Sequence, residues 1–253
     1  MKPVPGMSVL VTGGGSGIGE AAARHFAARG AMVTVTGRRP EKIEGVAASI
    51  GSACLAVSGD VSSDADRRGM VDAAVEHGGG RLDVLVSNAG NMYRGPLEQL
   101  DEQMVLDVFR VNVVAGMMLA GLCVPHLERT KGAVVFIGSV HTQRAYPGAS
   151  PYAASKGAVE TLTGVLAAEL GQRGIRVNCV RPGAVLTELN VRAGADPAAA
   201  RKRLDDMAGA HALMRIGAAE EIAEAIEYLA CAEWTTGAVV AVDGGLGLGV
   251  TFM

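Results

Sequence analysis

The chain has 253 residues, with 23 Lys and Arg against 26 Asp and Glu, for a net charge of −3. That near balance argues against a nucleic-acid surface built on phosphate neutralisation, and 49% apolar with 19% charged residues excludes global disorder. A chain of this length buries roughly 70–75% of its unfolded surface and needs no disulfide or metal staple.

In chain order, the apolar run 9–11 predicts a strand ending in Thr12-Gly13, and an Ala-rich helix over 18–29 stops at Gly30. Strands follow at 32–36 and 54–57, with a helix over 40–50 that has Pro in its first turn. A helix over 63–77, a strand at 84–86 and one long or two abutting helices over 102–127 come next. Then come a strand at 133–137, a helix over 155–170, a strand at 176–180, a helix over 220–231 and a strand at 239–242. Near-continuous apolar strands alternating with helices predict an α/β fold. It is a doubly wound parallel sheet of about seven strands, of Rossmann type, with helices on both faces. No linker divides the chain, so a single domain over 1–253 is expected. The segment 188–211 has no clear period. It follows the sixth strand at the sheet edge where such folds bind ligands, and reads as a substrate lid or as a surface helix pair.

No apolar run reaches the length of a membrane span; the longest, 111–125, carries Asn112, so no membrane association is expected. The first residues lack the apolar segment of a signal peptide. Cys54, Cys123, Cys179 and Cys231 lie more than 50 residues apart, without a CxxC or Cys/His cluster. Free thiols in a cytoplasmic, reducing compartment, and no metal site, are expected.

Thr12-Gly13-Gly14-Gly15-Ser16-Gly17-Ile18-Gly19 joins the first strand to the first helix. Gly13 permits a tight turn, Gly17 permits close approach of a phosphate, and Gly19 permits close packing of the helix. The N–H groups and dipole of that helix then face an anion. The spacing is Gly-x3-Gly-x-Gly rather than the Gly-x-Gly-x-x-Gly dinucleotide fingerprint.

With that loop, the chain carries Asp60-Val61, Asn88-Ala89-Gly90, Asn112, Ser139, Tyr152-x3-Lys156, Pro182-Gly183 with Thr187, and Asp243-Gly244-Gly245. In this order and spacing the sequence resembles the short-chain dehydrogenase/reductase family over essentially its whole length. The resemblance implies a hydride-transferring oxidoreductase acting on a hydroxyl or carbonyl carbon, with a small-molecule alcohol or ketone as partner. It assigns Ser139, Tyr152 and Lys156 to catalysis and Asn112 to a water-mediated proton relay with Lys156. Tyr152 and Lys156, four apart, share a helix face. A nearby ammonium and an oxidised nicotinamide would together favour the phenolate, and a general base works best near the operating pH.

The resemblance places Gly13, Ser16, Gly17, Ile18, Gly19, Asp60, Val61, Asn88, Ala89, Gly90, Tyr152, Lys156, Pro182, Gly183, Val185 and Thr187 at the dinucleotide. Ser87 stands where the family usually has Asn. Gly37, 20 residues past Gly17, occupies the place of the acid that binds a ribose 2′-hydroxyl. Arg38 and Arg39 follow it and suit a 2′-phosphate. NADP(H) is therefore favoured, with NAD(H) the alternative, in which Arg38 stacks on adenine. Ser16 departs from the basic residue that many NADP-preferring members carry in the loop.

Pocket candidates are Asn91, Met92, His141, Gln143 and Tyr146. Some sugar dehydrogenases of the family carry Ser-Val-His where this chain has 139–141; His141 also reads as an ordinary loop histidine. Arg129, Lys131 and Arg173 suit an acyl-carrier partner or are simply solvated. Family members of this size are usually homotetramers, and the Ala- and Met-rich helices 102–127 and 155–170 suit a symmetric interface. The competing readings are an NAD-dependent sugar, polyol or secondary-alcohol dehydrogenase and a dinucleotide-binding sensor or scaffold without turnover.

Overall fold

Side chains alternate across each strand, and that alternation sorts the core into two layers. Val9 and Val11 face one layer and Leu10 the other; Val84 and Val86 oppose Leu85 in the same way. The computed structural model describes residues 1–187 and 196–249, apart from the side chains of 197, 200 and 203. Its elements run β1 (Ser8–Thr12), α1 (Gly17–Ala28), β2 (Met32–Gly37), α2 (Pro40–Ile50), β3 (Cys54–Ser58), α3 (Asp64–His77) and β4 (Val84–Ser87). They continue with α4 (Glu102–Phe109), α5 (Ala115–Thr130), β5 (Ala133–Ile137), α6 (Ser150–Leu170), β6 (Arg176–Pro182), α7 (Pro197–Asp206), α8 (Ala219–Cys231) and β7 (Val239–Val242). The strands form one parallel seven-stranded sheet in the order β3-β2-β1-β4-β5-β6-β7.

One layer packs Ala22, Ala23 and Phe26 of α1 and Ile222, Ile226 and Leu229 of α8 on the sheet. The other packs α3, α5 and α6 through Val71, Leu119, Cys123, Leu127, Val159 and Leu170. The strand order reverses between β1 and β4, and their carboxyl ends open a crevice there. All four cysteines are buried and unpaired.

Two boundaries differ from expectation. Helix α6 begins at Ser150 rather than 155; its N-cap Ala149 offers no side-chain bond, and the start is marked instead by Pro151 in the first turn. The helix expected over 102–127 is α4 and α5 joined by a π turn at Arg110–Val114. The continuous stretch Glu102–Thr130 is, contrary to expectation, long and apolar enough by length and composition to span a bilayer. Its inner face packs on α3, β4 and β5, while Met104, Leu106, Val114, Met117 and Met118 are exposed. Of the segment 188–211, residues 188–195 lie outside the described residues; the rest contains α7 and a short turn at Ala208–Ala210.

Arg176, buried at the start of β6, donates to the carbonyls of Leu229 and Ala232 (2.7 and 2.9 Å) through Nη1 and of Ala230 (2.6 Å) through Nη2. A cation thus closes the carbonyl end of α8 and ties it to the sheet. Arg176→Leu should cost about 2–3 kcal/mol of stability, because charge-assisted bonds are lost and buried carbonyls are left unpaired. Urea unfolding measures this, and an unchanged midpoint would contradict it.

Candidate active site

The crevice floor is the turn between β1 and α1. Gly13 (φ +66°) and Gly17 (φ +56°) take left-handed conformations. A Cβ at Gly17 would lie 3.0 Å from Thr187 Cγ2, and one at Gly19 would lie 2.3 Å from the Gly13 carbonyl. Across the sheet reversal, Thr12 Oγ1 accepts the Asn88 and Ala89 N–H groups, both at 3.0 Å, and Asn88 Nδ2 donates to the Thr12 carbonyl at 2.9 Å. Ser16 caps α1 without a side-chain bond, which leaves the first-turn N–H groups to an anion at the loop. Glycines with no room for a Cβ, at an uncapped helix start, fit a dinucleotide pyrophosphate.

At the other end of the crevice, β5 runs through Gly138 into Ser139. Ser139 Oγ lies 3.1 Å from His141 Nδ1 and accepts the His141 N–H at 3.3 Å. The His141 ring stacks on Tyr146 (centroids 4.3 Å apart) and meets Tyr152 edge-on at 5.2 Å. Tyr152 lies in the first turn of α6. Lys156 follows one turn later, its Nζ 5.8 Å from the Tyr152 ring centroid and donating to the Ile137 carbonyl at 2.7 Å. Burial lowers the Lys156 pKa to about 8, against the opposing influence of Cys179 and Glu160. Burial also lowers His141 to about 4, helped by the charge of Arg94, so the ring is neutral near pH 7.

Tyr152 departs from the expected direction. Burial raises its pKa, against the Ser139 hydroxyl and the Arg94 charge, which pull it down. The protein alone therefore does not produce a phenolate. Desolvation of the phenolate outweighs the neighbouring cations, and the ammonium counted on from sequence is itself depressed by the same burial.

Asn112 sits in the π turn rather than in a regular helix. Its Oδ1 accepts the Asn91 N–H at 2.9 Å, and its Nδ2 donates to the Asn91 carbonyl and to Ser155 Oγ. A Cβ on Gly90 would lie 3.2 Å from Asn112 Oδ1, so that glycine permits the approach. Behind Ser139, Glu160 accepts from Thr142 Oγ1 at 2.8 Å and pairs with Arg181 at 2.7 Å. This largely buried ion pair joins the turn that carries His141 to α6 and β6.

One cavity of about 300 Å³ collects most of the sequence-predicted residues. Gly13, Ser16, Gly17, Ile18, Arg38, Arg39, Asp60, Val61, Asn88, Ala89 and Gly90 border it, as do Ser139, Tyr152, Lys156, Pro182, Gly183, Val185 and Thr187. Gly19 packs under the loop and Asn112 stands behind the wall. Of the pocket candidates, Met92, His141 and Tyr146 line the cavity. Asn91 and Gln143 do not. The Asn91 backbone is engaged by Asn112, and Gln143 lies against Gly247 in the turn after β7. Lys42 and Arg94 line it without having been singled out. Lys42 lies in the first turn of α2, just after Arg38 and Arg39; nothing local marks Arg94. Of the basic residues weighed for an acyl carrier, Arg173 pairs with Glu128, and Lys131 donates to the Arg173 carbonyl.

The family model for short chain dehydrogenases matches residues 7–198. A glucose 1-dehydrogenase of Gluconobacter oxydans is 38% identical over 96% of this chain and 92% of its own length. A short-chain dehydrogenase/reductase of unknown function from Caenorhabditis elegans, solved with cofactor, superposes with a TM-score of 0.92 at 28% identity, covering 98% of each chain. A 3-ketoacyl-(acyl-carrier-protein) reductase from Brucella melitensis, complexed with NADH, gives 0.89 at 30% identity over 96% of this chain and 99% of that one.

Below pH 8 the folded chain bears the full cost of the desolvated Lys156 ammonium. Between about 8 and the ordinary lysine value of 10.5 the folded form sheds this proton and the unfolded form keeps it, so the cost disappears as pH rises. Lys156→Met should stabilise the free protein at pH 7 by about 3 kcal/mol, less the value of the lost Ile137 bond. Melting temperatures from pH 7 to 10.5 check the sign: the advantage of the variant should shrink with pH, and one that grows would refute the argument.

Proposed function

Since the chain belongs to the short-chain dehydrogenase family, we propose that it interconverts a secondary alcohol and a ketone with NADP(H), using Tyr152 as general acid and base. The observation that supports this most directly is the convergence of Ser139, Tyr152 and Lys156 in one cavity with the glycine loop. The bound nicotinamide supplies the hydride acceptor or donor. Ser139 holds the substrate oxygen beside Tyr152, and His141 holds the Ser139 hydroxyl. Tyr152 passes a proton to the forming alcohol in reduction and removes it in oxidation. Its raised pKa keeps it protonated near neutrality, which suits the reductive direction. Lys156 fixes the proton path behind Tyr152, and Asn112 positions the strand end after Gly90. Part of the segment 188–211 serves as a lid, a reading supported by Leu204 and Met207 in the cavity wall.

The preference for NADP(H) is supported by Arg38, Arg39 and Lys42 at one end of the cavity, with Gly37 in place of an acid. One observation favours the alternative, an NAD-dependent sugar, polyol or secondary-alcohol dehydrogenase: Arg38 Nη1 lies 3.9 Å from Asp60 Oδ2. In that reading Arg38 is held by Asp60 and covers adenine. A sensor without turnover has no use for a buried ammonium beside a buried phenol. A single-domain homotetramer in the cytoplasm completes the proposal. Exposed Met104, Leu106, Met117, Met118 and Val165 on α4, α5 and α6 support the assembly, and four free thiols support the compartment.

Tyr152→Phe should lower kcat by about 10²–10⁴-fold, the usual range for a lost acid–base group. Nicotinamide fluorescence should still report cofactor binding, and turnover near that of the wild type would overturn the role. Titration with NADPH and NADH tests the cofactor: Arg38→Ala with Arg39→Ala should weaken NADPH binding roughly tenfold or more relative to NADH. An unchanged ratio would favour the NAD-dependent reading.

A further inference from the structure

The charges around the cavity are unevenly placed. Arg38, Arg39, Lys42 and Asp60 border it where β2, α2 and β3 meet the glycine loop. Arg94 borders it from the loop after β4, on the side of the catalytic residues. Among the described lining residues, Asp60 is the one carboxylate. At the catalytic end Arg94 and Lys156 line the wall, and the carboxylates of Glu160 and Asp243 act on Lys156 and Tyr146 from behind it. His141 adds no charge there at neutral pH.

Arg94 is half-buried and held in place. Its Nε donates to Met92 Sδ at 2.9 Å. The next residue, Gly95, donates its N–H to the Gly148 carbonyl at 3.0 Å. That bond ties the Arg94 loop to the turn just before Tyr152. The charge of Arg94 reaches Tyr152, Tyr146 and His141 alike, pulling the pKa of each down. The surrounding wall is apolar, formed by Met92, Val140, Tyr146, Leu204 and Met207.

We infer that Arg94 is a specificity-determining residue that binds a carboxylate of the substrate, so that the protein acts on hydroxy acids and the corresponding oxo acids. This rests on the oxidoreductase reading above. A guanidinium presents paired N–H donors that match a carboxylate and keeps its charge at any working pH. Beside the buried Tyr152 and His141 that pairing is stronger than at the surface. The carbon skeleton lies against the apolar wall, and the hydroxyl-bearing carbon reaches Ser139 and Tyr152. On oxidation the carbinol C–H bond breaks, and its electron pair leaves as hydride to the oxidised nicotinamide. The hydroxyl proton goes to Tyr152, and the C–O single bond becomes a carbonyl. The carboxylate is untouched and serves only for recognition.

The test uses matched pairs on the protein loaded with cofactor: lactate and methyl lactate, levulinate and methyl levulinate, gluconate and sorbitol. Dihydroxyacetone and its phosphate form a further pair. Binding is read by nicotinamide fluorescence and turnover by nicotinamide absorbance. The acid of at least one pair should bind roughly tenfold or more tightly than its neutral partner. That ratio should collapse toward one in Arg94→Met and fall partway in Arg94→Lys. Because the ratio is taken within each variant, the lysine variant serves if the methionine variant does not fold. Equal affinity for acid and neutral partner in every pair overturns the inference, as does a preference confined to the phosphate. Turnover of neutral compounds alone overturns the inference and leaves the oxidoreductase reading intact. Acid-selective binding that depends on Arg94, without hydride transfer in any pair, supports the recognition and counts against the oxidoreductase reading.

Discussion

A lysine ammonium buried against one backbone carbonyl organises the end of the cavity that holds Ser139 and Tyr152. Lys156 donates to Ile137 where β5 ends, and so pins α6 to the sheet at the point where Ser139 emerges. Burying that charge is unfavourable, as its pKa near 8 records. The surroundings are arranged to tolerate it. Gly90 leaves room beside its Nζ, and Glu160 sits one turn further along α6 with a charge that favours the ammonium. The carboxylate of Glu160 is held in turn by Arg181 and Thr142. A charged helix residue, a strand end and a catalytic turn therefore share one rigid frame.

The dinucleotide end depends on a different device. The order of the sheet reverses between β1 and β4, so two loops leave in opposite directions and a crevice opens between them. Thr12 and Asn88 clasp its two sides through bonds to backbone. The glycines let α1 approach until no Cβ would fit, which brings the start of the helix to the crevice floor. The electrostatics of the cavity follow from this layout. Arg38, Arg39 and Lys42 gather where β2 and α2 meet the glycine loop, and Arg94 stands apart beside Tyr146 and Tyr152.

Several features were legible in the chain itself. The alternation of apolar strands and helices gives the parallel sheet, because the periods of local structure are written in neighbouring residues. The glycine loop was legible because its left-handed turns at Gly13 and Gly17 and the close packing at Gly19 favour glycine. Tyr152 and Lys156 were legible through the Tyr-x3-Lys spacing that carries the family resemblance, although the helix was expected to begin only at 155.

Other features belong to the tertiary structure alone. The π turn at Asn112 depends on Asn91 and Ser155, which arrive from β4 and α6. Arg94 enters the cavity wall because Gly95 bonds to Gly148, more than 50 residues away in the chain. The raised pKa of Tyr152 comes from the desolvation imposed by every element packed around it. Sequence by itself determined what local sterics and periodicity control: the elements, the glycine loop and the spacing of Tyr152 and Lys156. Only the folded chain decided burial, and with it the protonation of Tyr152, Lys156 and His141, because desolvation depends on neighbours that are remote in sequence.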